Sequence, residues 1–154
     1  IFENNEPMDV GKNVEEIITL ELKDTKKTRF FIYLENQLIG YSFLSKFSRK
    51  TKAHVCTYGI VIGDEWQGNG HGYKICKHMI NVAWKKGFKK IWLTSYFDNK
   101  SALQIYQKLG FIVEGIFIDE EKLDGKNRHV LSMGLFKNKK NIDKIRQKII
   151  NSIN

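Results

Sequence analysis

The sequence predicts an α/β fold, a mixed sheet with helices packed on its faces. Through the middle of the chain, β-type runs alternate with amphipathic helical runs, a pattern that layers helices over a sheet. Two short segments, Gln67–Gly72 and Asp98-Asn99, stand at strand-to-helix junctions. Open α/β sheets place their ligands there, beyond the carboxyl ends of strands. A chain of 154 residues with 42% hydrophobic content suits one folded domain with a real core.

Val14–Leu22 is expected to be a helix, with Val14, Ile17, Ile18 and Leu22 on one face. A polar break follows at Asp24–Thr28. Phe30–Leu34 and Leu38–Leu44 are β-type runs around Glu35-Asn36-Gln37, which predicts an antiparallel hairpin. Arg49–Lys52 is a charged turn, and His54–Ile62 a third strand rich in β-branched and aromatic residues. Tyr73–Lys86 carries Ile75, Met79, Ile80 and Ala83 at helical spacing, with Gly87 where a C-terminal cap belongs. Lys90–Phe97 is the next strand. Asp98 and Asn99 are N-cap types for a helix over Lys100–Leu109 that Gly110 ends. Phe111–Ile118 and Arg128–Phe136 are two last strands around a turn at Asp124-Gly125. Asn141–Ile153 is a final helix with Ile142, Ile145, Ile149 and Ile153 on one stripe. No internal repeat or second domain is apparent, so residues 1–154 are read as a single domain.

The net charge of +9 favours anionic ligands through long-range attraction. No RNA-recognition, helix-turn-helix or zinc-finger spacing accompanies it, so no specific nucleic acid is expected. No apolar run reaches the length of a membrane span, and no membrane association is expected. The two cysteines, Cys56 and Cys76, have no metal-ligand spacing. They read as reduced thiols of a cytoplasmic protein without a bound metal.

Gln67-Gly68-Asn69-Gly70-His71-Gly72 sets three glycines at alternate positions between a strand and a helix. Glycine lets the main chain approach a ligand at positive φ, and the helix's first N–H groups then face phosphate oxygens. Lys followed by Ser or Thr does not follow the last glycine, so the Walker loop does not fit. The spacing G-x-G-x-G also departs from the dinucleotide pattern G-x-G-x-x-G. Downstream, Asn99, Ala102 and Tyr106 fall within two helical turns, and Ala102 leaves room beside the Tyr106 phenol.

Taken together, the two segments resemble the GCN5-related N-acetyltransferases, the GNAT superfamily. The family's pyrophosphate pattern (Gln or Arg, two residues, Gly, one residue, Gly or Ala) is met by Gln67, Gly70 and Gly72. Its later pattern is met by Asn99, Ala102, Tyr106 and Leu109-Gly110-Phe111, and the resemblance spans roughly Phe30–Phe136. It implies the acyl-CoA N-acyltransferase fold, a central, mostly antiparallel sheet with helices on both faces. It also implies direct transfer of the acetyl group of acetyl-CoA, as cosubstrate, to a primary amine of a small molecule. Backbone groups of Ile60, Val61 and Ile62 would pair with the pantetheine arm. Gly68, Asn69, Gly70, His71 and Gly72 would hold the pyrophosphate beside Gln67, and Asn99 and Ala102 would border the cofactor arm. Tyr106 would be the general acid for the departing thiolate, and Cys76 no nucleophile.

Some positions depart from the family pattern. Relatives that carry a Glu on the third strand match Thr57, Tyr58 and Gly59 here, which leaves His54, a carboxylate elsewhere such as Glu114, or solvent alone as the base. His129 stands in the last hairpin where several relatives have Asp. Only 29 residues precede Phe30, so either a first strand is lacking or an N-terminal piece is missing. The rival readings are a catalytically silent CoA-binding module and an acetyltransferase of protein N-termini or lysines. Either a monomer or a homodimer fits the final helix.

Overall fold

The computed structural model describes residues 18–23, 27–138 and 142–153. In chain order the elements are β1 (Ile18–Lys23), β2 (Lys27–Leu34), β3 (Gln37–Lys46), β4 (Val55–Ile62), α1 (His71–Lys85), β5 (Lys90–Tyr96), α2 (Lys100–Lys108), β6 (Ile112–Leu123), β7 (Lys126–Phe136) and α3 (Ile142–Ile153). The strands form one seven-stranded sheet in the order β1-β2-β3-β4-β5-β7-β6. Every neighbouring pair is antiparallel except β4 and β5.

The first element corrects the sequence reading. The predicted helix Val14–Leu22 is strand from Ile18 onward, paired with β2 from Ile18↔Tyr33 to Lys23↔Thr28; residues 14–17 lie outside the described residues. Ile18, Leu20 and Leu22 alternate with Thr19 and Glu21, so a period of two fits as well as a helical one. The open edge of β2 offers hydrogen bonds that an isolated helix turn cannot match. Lys27 and Thr28, read as part of a break, already belong to β2. A strand therefore does precede the hairpin.

That hairpin forms on two residues. Glu35 (φ 46°) and Asn36 (φ 64°) are both left-handed, which matches the twist of the strands they join. Further on, α1 starts at His71, two residues before the expected Tyr73, because Gly70 at φ 80° is its cap. Gly87 (φ 90°) and Gly110 (φ 93°) follow the two helices in the left-handed conformation that ends them.

One sheet face carries the core. Phe30, Ile32, Leu44, Cys56, Ile91, Leu93 and Met133 meet Ile75, Met79, Val82 and Ala83 of α1 and Leu103 and Tyr106 of α2. Burying each such aliphatic side chain contributes about 1.5–3 kcal/mol, so this layer fixes where α1 and α2 sit. On the other face, α3 places Ile142, Ile145 and Ile149 across from Ile112, Glu114 and Phe136, around a cavity of about 450 Å³. Helices thus occupy both faces. No helix among the described residues is long and apolar enough to cross a membrane.

Candidate active site

The site begins where the sheet comes apart. β4 and β5 pair only over Val55↔Lys90, Cys56↔Ile91 and Thr57↔Trp92. Beyond Thr57 they diverge, so the upper half of β4 is a sheet edge on that side. Gly63 N–H donates to Ile39 O at 3.0 Å, in register with the β3–β4 ladder. Backbone groups alternate along an antiparallel ladder, so Val61 also turns its N–H and C=O toward β3. Ile60 and Ile62 turn theirs into the gap. The Val61 side chain is exposed on the far face.

Above the gap, Gln67 closes the loop: its Nε2 donates to Ile62 O at 3.0 Å and to Asp64 Oδ1 at 2.9 Å. Gly68 (φ 79°) and Gly70 (φ 80°) follow, and a Cβ on either would meet nothing within 4 Å. Their glycine identity answers the positive φ and leaves open space in front of the main chain. Gly72 has a different cause. A Cβ there would come 3.2 Å from Ile105 Cδ1, so its bare backbone lets α1 and α2 approach. Gly70 gives α1 no side-chain cap, and the first intrahelical bond runs from Lys74 N to Gly70 O. The preceding N–H groups of the helix start therefore remain as donors for an anion.

Asn99 caps α2, its Oδ1 accepting from Ala102 N–H at 3.3 Å and from Ser101 Oγ at 3.2 Å. That commits the oxygen to the helix and leaves the amide NH₂ to point elsewhere. Tyr106, two turns on, is only 8% exposed and packs its ring against Phe111 at 5.6 Å. Burial raises its phenol above the ordinary value of 10.0, with the nearby Cys76 adding to the effect. Tyr58 is raised for the same first reason. Cys76 itself is 1% exposed, and burial pushes its thiol up to about 12. A thiol this reluctant to ionise holds little thiolate at neutral pH.

These parts bound one cleft of about 470 Å³. Ile60 and Ile62 form its floor, and Gln67, Gly68, Gly70 and Gly72 one wall; Asn99, Ala102 and Tyr106 form the other. Of the expected residues, Val61, Asn69 and His71 do not line it. Tyr73, Ser101, Gln104, Ile105 and Lys108 do, and were not singled out from sequence. Helical spacing held the signal: Ser101, Ile105 and Lys108 repeat at the intervals that put them beside Ala102 on the same side of α2.

Both named candidates for the base lie elsewhere. His54 sits at the foot of β4, its carbonyl accepting from Lys89 and Lys90 N–H. Glu114 is held by Lys90 Nζ at 2.6 Å, also at the foot of β5. Among the described residues, those lining the cleft include no carboxylate and no imidazole. His129 lies on the β6–β7 hairpin, where its Nδ1 accepts from Asp119 N–H at 3.1 Å. The hairpin is tied to the end of β5 by Tyr96 with Glu121, by Arg128 with Asp98, and by Phe97 N–H to His129 O at 3.0 Å.

The splayed parallel pair thus sets an open strand edge beside a glycine-capped helix start whose first N–H groups have no intrahelical partner. Residues 3–111 match the model of the Acetyltransferase (GNAT) family, and the chain belongs to that family. Among curated relatives, the L-amino acid N-acetyltransferase AaaT of Escherichia coli (strain K12) is 27% identical over 84 residues, 53% of this chain and 51% of the relative. The spermidine N(1)-acetyltransferase of the same strain is 26% identical over 136 residues, 85% of this chain and 70% of the relative. The chain thus spans about half of the first relative and more of the second. A GNAT acetyltransferase from Streptococcus pneumoniae superposes with a TM-score of 0.69 at 27% identity, covering 73% of this chain and 68% of that one. The spermidine N-acetyltransferase of Vibrio cholerae, solved with CoA and spermine, shares the fold at a TM-score of 0.67 and 23% identity, covering 74% and 68%.

Proposed function

We propose that this protein is an acetyl-CoA-dependent N-acetyltransferase that acts on a primary amine of a small molecule. The observation that carries the reading is the continuity of one cleft from the glycine loop, past the open edge of β4, to the Tyr106 phenol. The open space at Gly68 and Gly70 and the donors at the start of α1 fit a pyrophosphate. Ile60 and Ile62 present backbone groups to a pantetheine arm as a strand edge does to a peptide. The NH₂ of Asn99 borders the same arm.

Acetyl-CoA bound there supplies an activated thioester carbonyl. Ile60, Ile62 and Asn99 fix that arm, which turns transfer into a reaction between positioned partners. The acceptor nitrogen bonds to the carbonyl carbon as the C–S bond breaks. Tyr106, kept protonated by burial, gives its proton to the leaving sulfur, the new amide nitrogen sheds its extra proton to water, and the phenolate takes a proton back from solvent before the next turnover. The cleft lining offers no base among the described residues, so the acceptor enters as its free amine and the rate climbs with pH through the acceptor's own pKa.

The acceptor class is supported by the relatives, which are named for an L-amino acid and for spermidine. A net charge of +9 tilts the choice toward a neutral or anionic amine. Incubating the protein with acetyl-CoA and a panel of amines, while following free thiol, tests the proposal. Amine-dependent thiol release supports it. No turnover with any amine, together with a melting temperature raised by CoA, would leave a silent binding module instead.

A further inference from the structure

We infer that Lys108, held over Tyr73 at the outer rim of the cleft, takes the 3′-phosphate of CoA and lets the protein distinguish CoA from its 3′-dephospho form. The inference rests on the proposed function and adds a specificity-determining residue to it. Lys108 is the only charged residue among the described residues that line the cleft. Its Nζ sits 4.9 Å from the centre of the Tyr73 ring, and among the described residues no carboxylate pairs with it.

The geometry gives the direction. With the thioester end near Tyr106 and the pyrophosphate at Gly68–Gly72, the nucleoside end must leave toward the exposed side of α2. Tyr73 directly follows the loop on α1, and Lys108 closes α2 opposite it. The pair therefore bridges the two helices where the chain of phosphates emerges. The main-chain donors of the loop answer the pyrophosphate, but a third phosphate beyond them has no backbone donors left. Its double negative charge calls for a cation, and the ring face keeps the Lys108 ammonium at the rim before ligand arrives.

A lysine in the last turn of a helix also answers the helix dipole. That role would not separate two ligands that differ by one phosphate. Calorimetric titration of the full chain with CoA and with 3′-dephospho-CoA makes the distinction. The wild type should bind CoA tighter by about fivefold at low salt, and the preference should shrink as salt screens the exposed pair. Lys108→Met should bind both ligands as the wild type binds 3′-dephospho-CoA, while Lys108→Arg should restore the preference. Equal binding of the two ligands by the wild type overturns the inference and leaves the acetyltransferase reading standing. So does a Lys108→Met variant that weakens both ligands equally. Failure of the wild type to bind either ligand removes the functional reading itself, and the inference with it.

Discussion

Replacing Tyr106 with Phe isolates one oxygen. Among the described residues the phenol oxygen has no hydrogen-bond partner, so its loss strands no buried donor or acceptor. The ring, 8% exposed and 5.6 Å from Phe111, stays in place. Stability should therefore change by no more than about 0.5 kcal/mol. Truncation to Ala, by contrast, would empty an aromatic-sized cavity at a cost of about 3–5 kcal/mol and confuse folding with chemistry. A positioned general acid contributes roughly 10²–10⁴ in rate, or about 2.7–5.4 kcal/mol of barrier at about 1.4 kcal/mol per tenfold. The assay is the initial rate of free-thiol release at saturating acetyl-CoA, beside CoA affinity and the thermal midpoint. The expected result is kcat down at least about a hundredfold with affinity and midpoint unchanged. A variant that folds, binds CoA and turns over within about twofold of wild type would remove Tyr106 as the acid.

Other substitutions probe other parts of the site. Gly70→Ala puts a Cβ at φ 80°, so it should cost about 1–2 kcal/mol of stability and weaken CoA binding; an unchanged thermal midpoint contradicts the strain argument. Asn99→Ala removes the cap of α2 and should cost about 1 kcal/mol. Asn99→Asp keeps the capping oxygen but loses the NH₂, so it should melt like wild type and bind CoA more weakly; full affinity would show that the NH₂ makes no contact. Cys56 and Cys76 are held protonated up to about 12 when folded, against an ordinary 9.0. The unfolded chain then releases protons first, so their stabilisation is whole below pH 9.0 and is lost as pH rises toward about 12. The loss is up to about 1.4 kcal/mol per pH unit for each thiol. Thermal midpoints measured through this range should fall less steeply in a Cys56→Ala, Cys76→Ala double variant, and identical slopes refute the assignment.

What the sequence made legible was whatever its own local chemistry determines. The turn at Gln67–Gly72 and the start of α1 were readable because positive φ and an uncapped helix start are properties of those few residues. Asn99 and Tyr106 were readable from helical spacing. Ile18–Lys23 was not, because six residues satisfy both periods and a neighbouring strand decides between them. The choice of base stayed open for a related reason. His54 and Glu114 are the right residue types, but only the direction of β4 and the Lys90 ion pair reveal that they stand at the closed end of the sheet. Lys108 was hidden as one of many lysines until the fold set it against Tyr73.

The splay between β4 and β5 has a mechanical side. Three residue pairs are all that stitch β1–β4 to the β5–β7–β6 half within the sheet. Each hydrogen bond forgone there is stabilisation withheld from the empty protein and available to whatever fills the gap. A ligand whose amides complete that row acts as a replaceable rung, joining two halves of a ladder that the chain alone leaves part-open. By linkage, ligand at a hundred times its Kd would add about 2.7 kcal/mol to folding. Amide exchange should slow most along the facing edges of this seam, so the protein's resistance to unfolding would follow the supply of the ligand that fills it.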